Sequence, residues 1–126
     1  SIINLERSDM HPNSINEVPN WILKVLNNIC DIERKIQIHG DPGNAKRNVD
    51  RIKETFEAEK IFYEDPMGEL FTETRTDLEA SITGVGTENL HVVEVIKPIV
   101  RIGDKNFSRV IQKGIVVVES RVEGEA

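Results

Sequence analysis

The sequence predicts an α+β protein in which an N-terminal antiparallel helical hairpin precedes a small β-rich domain, and three observations predict it. Apolar residues recur at helical period from Val18 to Ile36 and again from Ala45 to Phe56. The stretch His39-Gly40-Asp41-Pro42-Gly43-Asn44, dense in helix breakers, separates the two runs. Beyond Lys60 the helical period gives way to short apolar segments set between turn residues. The expected division is a flexible segment over 1–16, the hairpin over 17–59, the β-rich head over 60–120 and a disordered acidic tail over 121–126.

In the first helix, expected over about residues 17 to 38, Val18, Ile22, Val25, Ile29, Ile32 and Ile36 step by four and three and form one apolar seam, which Trp21 and Leu26 widen. Asn16 and Glu17 supply the cap and first-turn acid, and Pro19 falls in the first turn, where a missing N–H costs little. In the second helix Ala45, Val49, Ile52 and Phe56 carry the seam, while Lys46, Arg47, Asp50, Arg51, Lys53, Glu54 and Glu57 take the other face, with Lys53 and Glu57 four apart. A two-helix hairpin leaves part of each seam open. Pairing with a second copy closes a four-helix bundle; packing of the hairpin on the β part of its own chain is the alternative.

The β part begins with a brief segment at Ile61 to Tyr63 and turns at Asp65-Pro66-Met67-Gly68 before Leu70-Phe71. Thr83 to Thr87 forms a loop. Leu90 to Val100 is the longest strand candidate, with Leu90, Val92, Glu94 and Ile96 on one face; neither face is cleanly polar, which makes it a covered, central strand. Pro98 cannot donate to a ladder and marks an edge or a bend. Gly103 to Asn106 turns the chain, and Val110 to Glu119 ends the sheet with Ile115-Val116-Val117-Val118, a run expected to be buried on both faces.

Composition narrows the function. The 126 residues are 38% hydrophobic and 30% charged, with one Trp, one Tyr and four Phe, so a pocket built from many aromatics is not expected. Sixteen basic residues against 22 acidic ones give a net charge of −6, which opposes nucleic acid and anionic membranes and favours a protein partner. Cys30 stands alone, the longest apolar run is too short for a bilayer, and Ser1 to Met10 has no export-like core, all of which point to the cytoplasm. His11, His39 and His91 have no second His or Cys at metal-ligand spacing, and no nucleophile elbow, phosphate loop or dinucleotide fingerprint occurs. Cys30 reads as a small semi-buried helix residue, and no carboxylate pair stands out as acid and base. The expectation is a binding protein with no catalytic residue, metal or cofactor.

The order of short motifs supplies the class. Ile22-Leu23-Lys24-Val25-Leu26-Asn27-Asn28-Ile29, then Gly68-Glu69-Leu70-Phe71 with Glu79-Ala80, then Val92-Val93-Glu94-Val95, Arg101-Ile102-Gly103-Asp104 and Arg109-Val110-Ile111 succeed one another over about residues 20 to 120. This succession resembles the C-terminal two thirds of GrpE, the nucleotide exchange factor of the Hsp70 chaperones. Where that family has Lys-Gly-Tyr before the turn this chain has Pro98-Ile99-Val100, and Ile111-Gln112-Lys113-Gly114 stands for Leu-Arg-Pro-Ala. Lys105 to Ser108 looks like an insertion, the spacing from Phe71 to Glu79 is longer than usual, and only Ser1 to Glu17 stands where the family has a long paired helix. The resemblance is therefore to a divergent member.

It implies a dimeric four-helix bundle bearing a GrpE-like head, with Trp21, Ile22, Val25, Ile29, Ile32, Val49, Ile52 and Phe56 at the dimer interface. It also implies that Leu70, Phe71, Ile96, Arg109 and Val118 contact the nucleotide-binding domain of an Hsp70 and promote ADP release. Plain core packing accounts as well for Phe71, Ile96 and Val118, and a solvated turn for Arg109. The rival expectation is a dimeric adaptor that binds another protein without exchange.

Overall fold

The computed structural model describes residues 18–121; the expectations for residues 1–16 and 122–126 lie outside them. Helix α1 (Asn20–His39) and helix α2 (Lys46–Ala58) are followed by β1 (Ile61–Glu64), β2 (Leu78–Thr83), β3 (Leu90–Lys97), β4 (Ile99–Asp104), β5 (Phe107–Gln112) and β6 (Gly114–Ser120). The strands form two three-stranded sheets, ordered β1-β4-β5 and β2-β6-β3.

Helix α1 starts later than its apolar pattern, because Pro19 holds an extended backbone (φ −60°, ψ 148°) and serves as the cap, its carbonyl accepting from Ile22 N–H at 3.0 Å. Its end is set by Gly40, whose φ of 89° leaves the helical region. The Asp41 carboxylate accepts from the Ala45 and Lys46 N–H groups at 2.7 and 2.9 Å and so satisfies the start of α2. Lys46 and Asp50 pair one turn apart, whereas Lys53 reaches across to Glu33 of α1 instead of Glu57.

Pro98 and Lys113 are single-residue corners at which the chain passes between sheets, so β3 and β6 lie in one and β4 and β5 in the other. This explains why Ile99 and Val100 are both buried. Ile99 joins Leu78, Leu90, Val92, Val116 and Val118 between the sheets, and Val100 joins Ile61, Tyr63 and Ile111 beneath Leu23, Leu26, Ile29, Cys30 and Val49 of the helices. The layers therefore run helices, sheet β1-β4-β5, sheet β2-β6-β3.

The bundle expectation is overturned here. Two helices and six strands in two sheets make up the described residues, and the helices lie on the chain's own sheet rather than standing apart as a hairpin that closes a dimeric four-helix bundle. Ile29 and Val49 are inside that shared core, Ile22, Val25 and Phe56 pack partly against it, and only Trp21 (60% exposed), Ile32 and Ile52 remain largely on the surface. Sheet β1-β4-β5 offers an apolar face of the same chain, and burying one leucine such as Leu26 there contributes about 1.5–3 kcal/mol without the entropic cost of association.

The strand reading is corrected at three places. The long segment Leu90 to Val100 is broken by Pro98, and β3 is not central: it flanks β6. Register shifts between Val92 and Glu94 and between Val95 and Lys97 rotate the faces, so Leu90 and Val92 are buried while Glu94 and Ile96 are exposed. The final run alternates, with Gly114, Val116 and Val118 buried and Ile115 and Val117 half-buried, and β2 occupies a stretch where no strand was expected.

Candidate partner-binding face

Gly68 to Phe71 adds a short fourth strand to the free edge of β3. Gly68 N–H donates to Val92 C=O at 3.0 Å, Val92 N–H to Glu69 C=O at 2.9 Å and Phe71 N–H to Leu90 C=O at 2.8 Å, and Leu70 bridges His91. Gly68 turns into this strand with φ 83°. The turn before it is tied to α1, since Asp65 accepts from the Met67 N–H and pairs with Arg34. The loop after it is held by Arg75, which forms two 3.0 Å bonds to Asp77, a 3.0 Å bond to Glu69 and one to the Leu70 carbonyl at 3.2 Å. The Arg75 guanidinium keeps the Asp77 carboxyl below its ordinary range, with Arg101 at 3.6 Å as a further positive charge.

Register carries this edge across the sheet. On the face turned away from the core, Leu70, His91, Glu119 and Thr83 fall in one row, Glu94, Val117 and Ser81 in the next, and Lys97, Ile115 and Glu79 in the third. The third row runs into an open cleft of about 470 Å³ whose walls include Asn20, Leu23, Gln112 and Lys113. The apolar centre, Val117 and Ile115, is framed by Glu79, Glu94 and Glu119, none of which has an ion-pair or hydrogen-bond partner among the described residues.

Of the residues singled out from the sequence, Leu70 (49% exposed) and Ile96 (57%) lie along the same strand edge; Ile96 lines a shallow groove with Asn27, Asp31 and Pro98. Phe71 packs partly into the core between the sheets. Val118, 0% exposed, is wholly within that core and offers no surface to a partner. Arg109 is exposed on β5, opposite Ile102 in the other sheet and apart from the Leu70 edge. The three-carboxylate frame on β2, β3 and β6 was missed; the alternation Leu78-x-Ala80-x-Ile82 was the signal that would have found its first strand.

Between helices and sheet lies a polar lock. Tyr63 O–H donates to Glu33 at 2.6 Å, Lys53 Nζ pairs with the same carboxylate at 3.2 Å and sits 5.0 Å from the Tyr63 ring centre. Burial, with Asp65 and Glu33 adding, pushes the Cys30 thiol up to about 11, so it stays protonated at neutral pH, and burial with the bond to Glu33 raises Tyr63 as well. Tyr63, Lys53 and Glu33 are thus occupied with one another. Among the described residues no three His, Cys, Asp or Glu side chains gather in a group that would hold a metal ion.

The outer face of sheet β2-β6-β3 is thus open and half-apolar, bounded on one side by a pinned strand edge. Comparisons with protein-family models, with curated proteins and with solved structures find no match.

Proposed function

We propose that the chain is a GrpE-like co-chaperone that binds the nucleotide-binding domain of an Hsp70-type chaperone and promotes release of ADP. The observation that carries this reading is the adjacency of segments far apart in the chain. Gly68 to Phe71 hydrogen-bonds beside Val92 to Val95, and Glu79-Ala80 pairs with Ile115 and Val116 of the last strand, so three of the motifs that resemble the family share one sheet and its edge, while Arg101 to Asp104 and Arg109 to Ile111 pair with each other in the second sheet. Of the departures from the family, Pro98, Ile99, Val100, Ile111 and Gly114 are buried and alter packing, whereas Gln112 is half-buried and Lys113 is exposed at the cleft beside this face.

The mechanism needs no covalent step. A factor that binds the open nucleotide-binding domain more tightly than the closed one shifts the population toward the open form, and ADP weakens the factor's binding by the same ratio. The test is release of a fluorescent ADP analogue from an Hsp70 of the same source. Acceleration by the wild-type chain that falls at least about tenfold in Leu70→Ala/Arg109→Ala supports exchange. Release at the basal rate in the presence of folded protein rejects it.

One observation favours a second reading, an adaptor that binds another protein without exchange: the helices cover the chain's own sheet instead of building the bundle that the resemblance implies. Basal ADP release together with no binding of the folded protein to an Hsp70 would select this reading.

A further inference from the structure

The outer face of sheet β2-β6-β3 departs from what an uncovered sheet requires. A solvated sheet face is ordinarily polar, and parallel strand pairs are ordinarily covered on both sides. Here β2 and β6 run parallel, and β6, the central strand, carries Ile115 and Val117 on the side away from the core. Its neighbours in register are Glu79 and Ser81 on one side and Lys97 and Glu94 on the other, with Glu119 in the adjoining row. Three carboxylates and one ammonium thus frame a half-buried apolar strip, and all four charges are unpaired among the described residues. The strip opens at its Ile115 end into the cleft beside the start of α1.

We infer that this face, centred on Ile115 and Val117 and framed by Glu79, Glu94 and Glu119, is the docking surface for a protein partner whose contact patch is apolar at its centre and rimmed by Lys and Arg. The inference rests on the exchange reading, and so commits to a patch of that kind on the Hsp70 nucleotide-binding domain. The charge frame decides the class of occupant. An acidic or strongly polar patch would face three carboxylates against the single ammonium of Lys97, whereas a basic rim gains complementary charge and buries the strip. None of these five residues belongs to the contact set that the sequence resemblance implied; Leu70 joins them only as the end of the first row.

Rim charges act mainly on association rate and salt dependence, while the apolar centre acts on residence time. The experiment measures ADP-analogue release from a purified Hsp70 over a titration of the full chain, at low and high salt. The proteins compared are wild type, Glu79→Lys/Glu94→Lys/Glu119→Lys and the milder Glu79→Gln/Glu94→Gln/Glu119→Gln, each checked for its wild-type circular dichroism. The expected result is an apparent affinity lowered about tenfold or more in the Lys variant and less in the Gln variant, an unchanged rate at saturation, and a salt dependence that is weakened in the Gln variant and reversed in the Lys variant. If wild type accelerates release and the folded Gln variant matches it at both salts, this face is overturned and the exchange reading stands. If wild type itself leaves release at the basal rate, both are overturned.

Discussion

At Gly103 the backbone has φ 126°, and a Cβ there would lie 2.4 Å from the Phe107 carbonyl oxygen and 2.8 Å from the Ser108 Cα. Its N–H also donates to the Lys60 carbonyl at 2.7 Å, tying the β4 to β5 hairpin back to the start of β1. The Asp104 side chain closes the same hairpin by accepting from the Asn106 and Phe107 N–H groups at 3.0 and 2.9 Å. A side chain at 103 must therefore adopt a disfavoured backbone and displace main chain, which is less yielding than a side-chain tip. Gly103→Ala is expected to cost on the order of 3 kcal/mol, read as a lower denaturant midpoint at unchanged slope. An unaltered midpoint would mean that the hairpin opens at little cost. That a turn falls at Gly103-Asp104-Lys105-Asn106 was legible from residue types alone; that the glycine is pressed against the returning strand was not, because the contact depends on pairing that sequence does not display.

At the scale of elements, the loop between the Gly68–Phe71 strand and β2 is fixed by charge. Asp77 receives two of the four Arg75 bonds, Arg101 lies behind it, and the Asp77 carbonyl accepts from the Gly114 N–H at 2.9 Å, where β6 begins. Its carboxyl is held below the ordinary value, chiefly by the bond to Arg75. A group depressed in the folded state stabilises above its unfolded pKa of about 3.9, and that contribution is lost as pH falls through the folded value. Wild type is thus expected to lose stability below about pH 4 more steeply than Asp77→Asn, while the variant is the less stable protein at pH 7. Thermal midpoints across acid and neutral pH check both statements, and parallel curves would reject the role given to Asp77. Helices, turns at 65–68 and 103–106, and the strand at Ile61 were readable because period and turn chemistry are local; the final segment expected over Val110 to Glu119 is instead divided at Lys113 between β5 and β6 of different sheets. The misreadings of β3 and β2 have one cause each: two register shifts rotate β3 about its own axis, and β2 is half exposed, so Glu79, Ser81 and Thr83 hide its apolar alternation in a polar composition.

For the whole molecule, the consequential question is what the helices cover. Two seams separated by a turn are compatible with a bundle partner or with the chain's own sheet, and the sequence does not choose between them, since the sheet face that wins is assembled from Ile61, Tyr63, Val100 and Ile111 scattered over 51 positions. Once assembled, it is secured by polar contacts that a separate bundle would lack: Tyr63 and Lys53 on Glu33, Arg34 on Asp65, and Gln112 bridging Asn27 and the Pro98 carbonyl at 2.8 and 2.9 Å. The helices and sheet β1-β4-β5 should accordingly unfold as one unit. Leu26, 1% exposed at the centre of that interface, is the position at which this can be tested. Leu26→Ala removes about 2–5 kcal/mol by lost burial and residual cavity. Because the core is shared, amide exchange is expected to accelerate together in α1, α2, β1 and β4, and the helical circular dichroism to melt in the same transition as sheet protection. Were the helices a module of their own, the variant would loosen α1 and α2 and leave the amides of β1 and β4 at their wild-type rates.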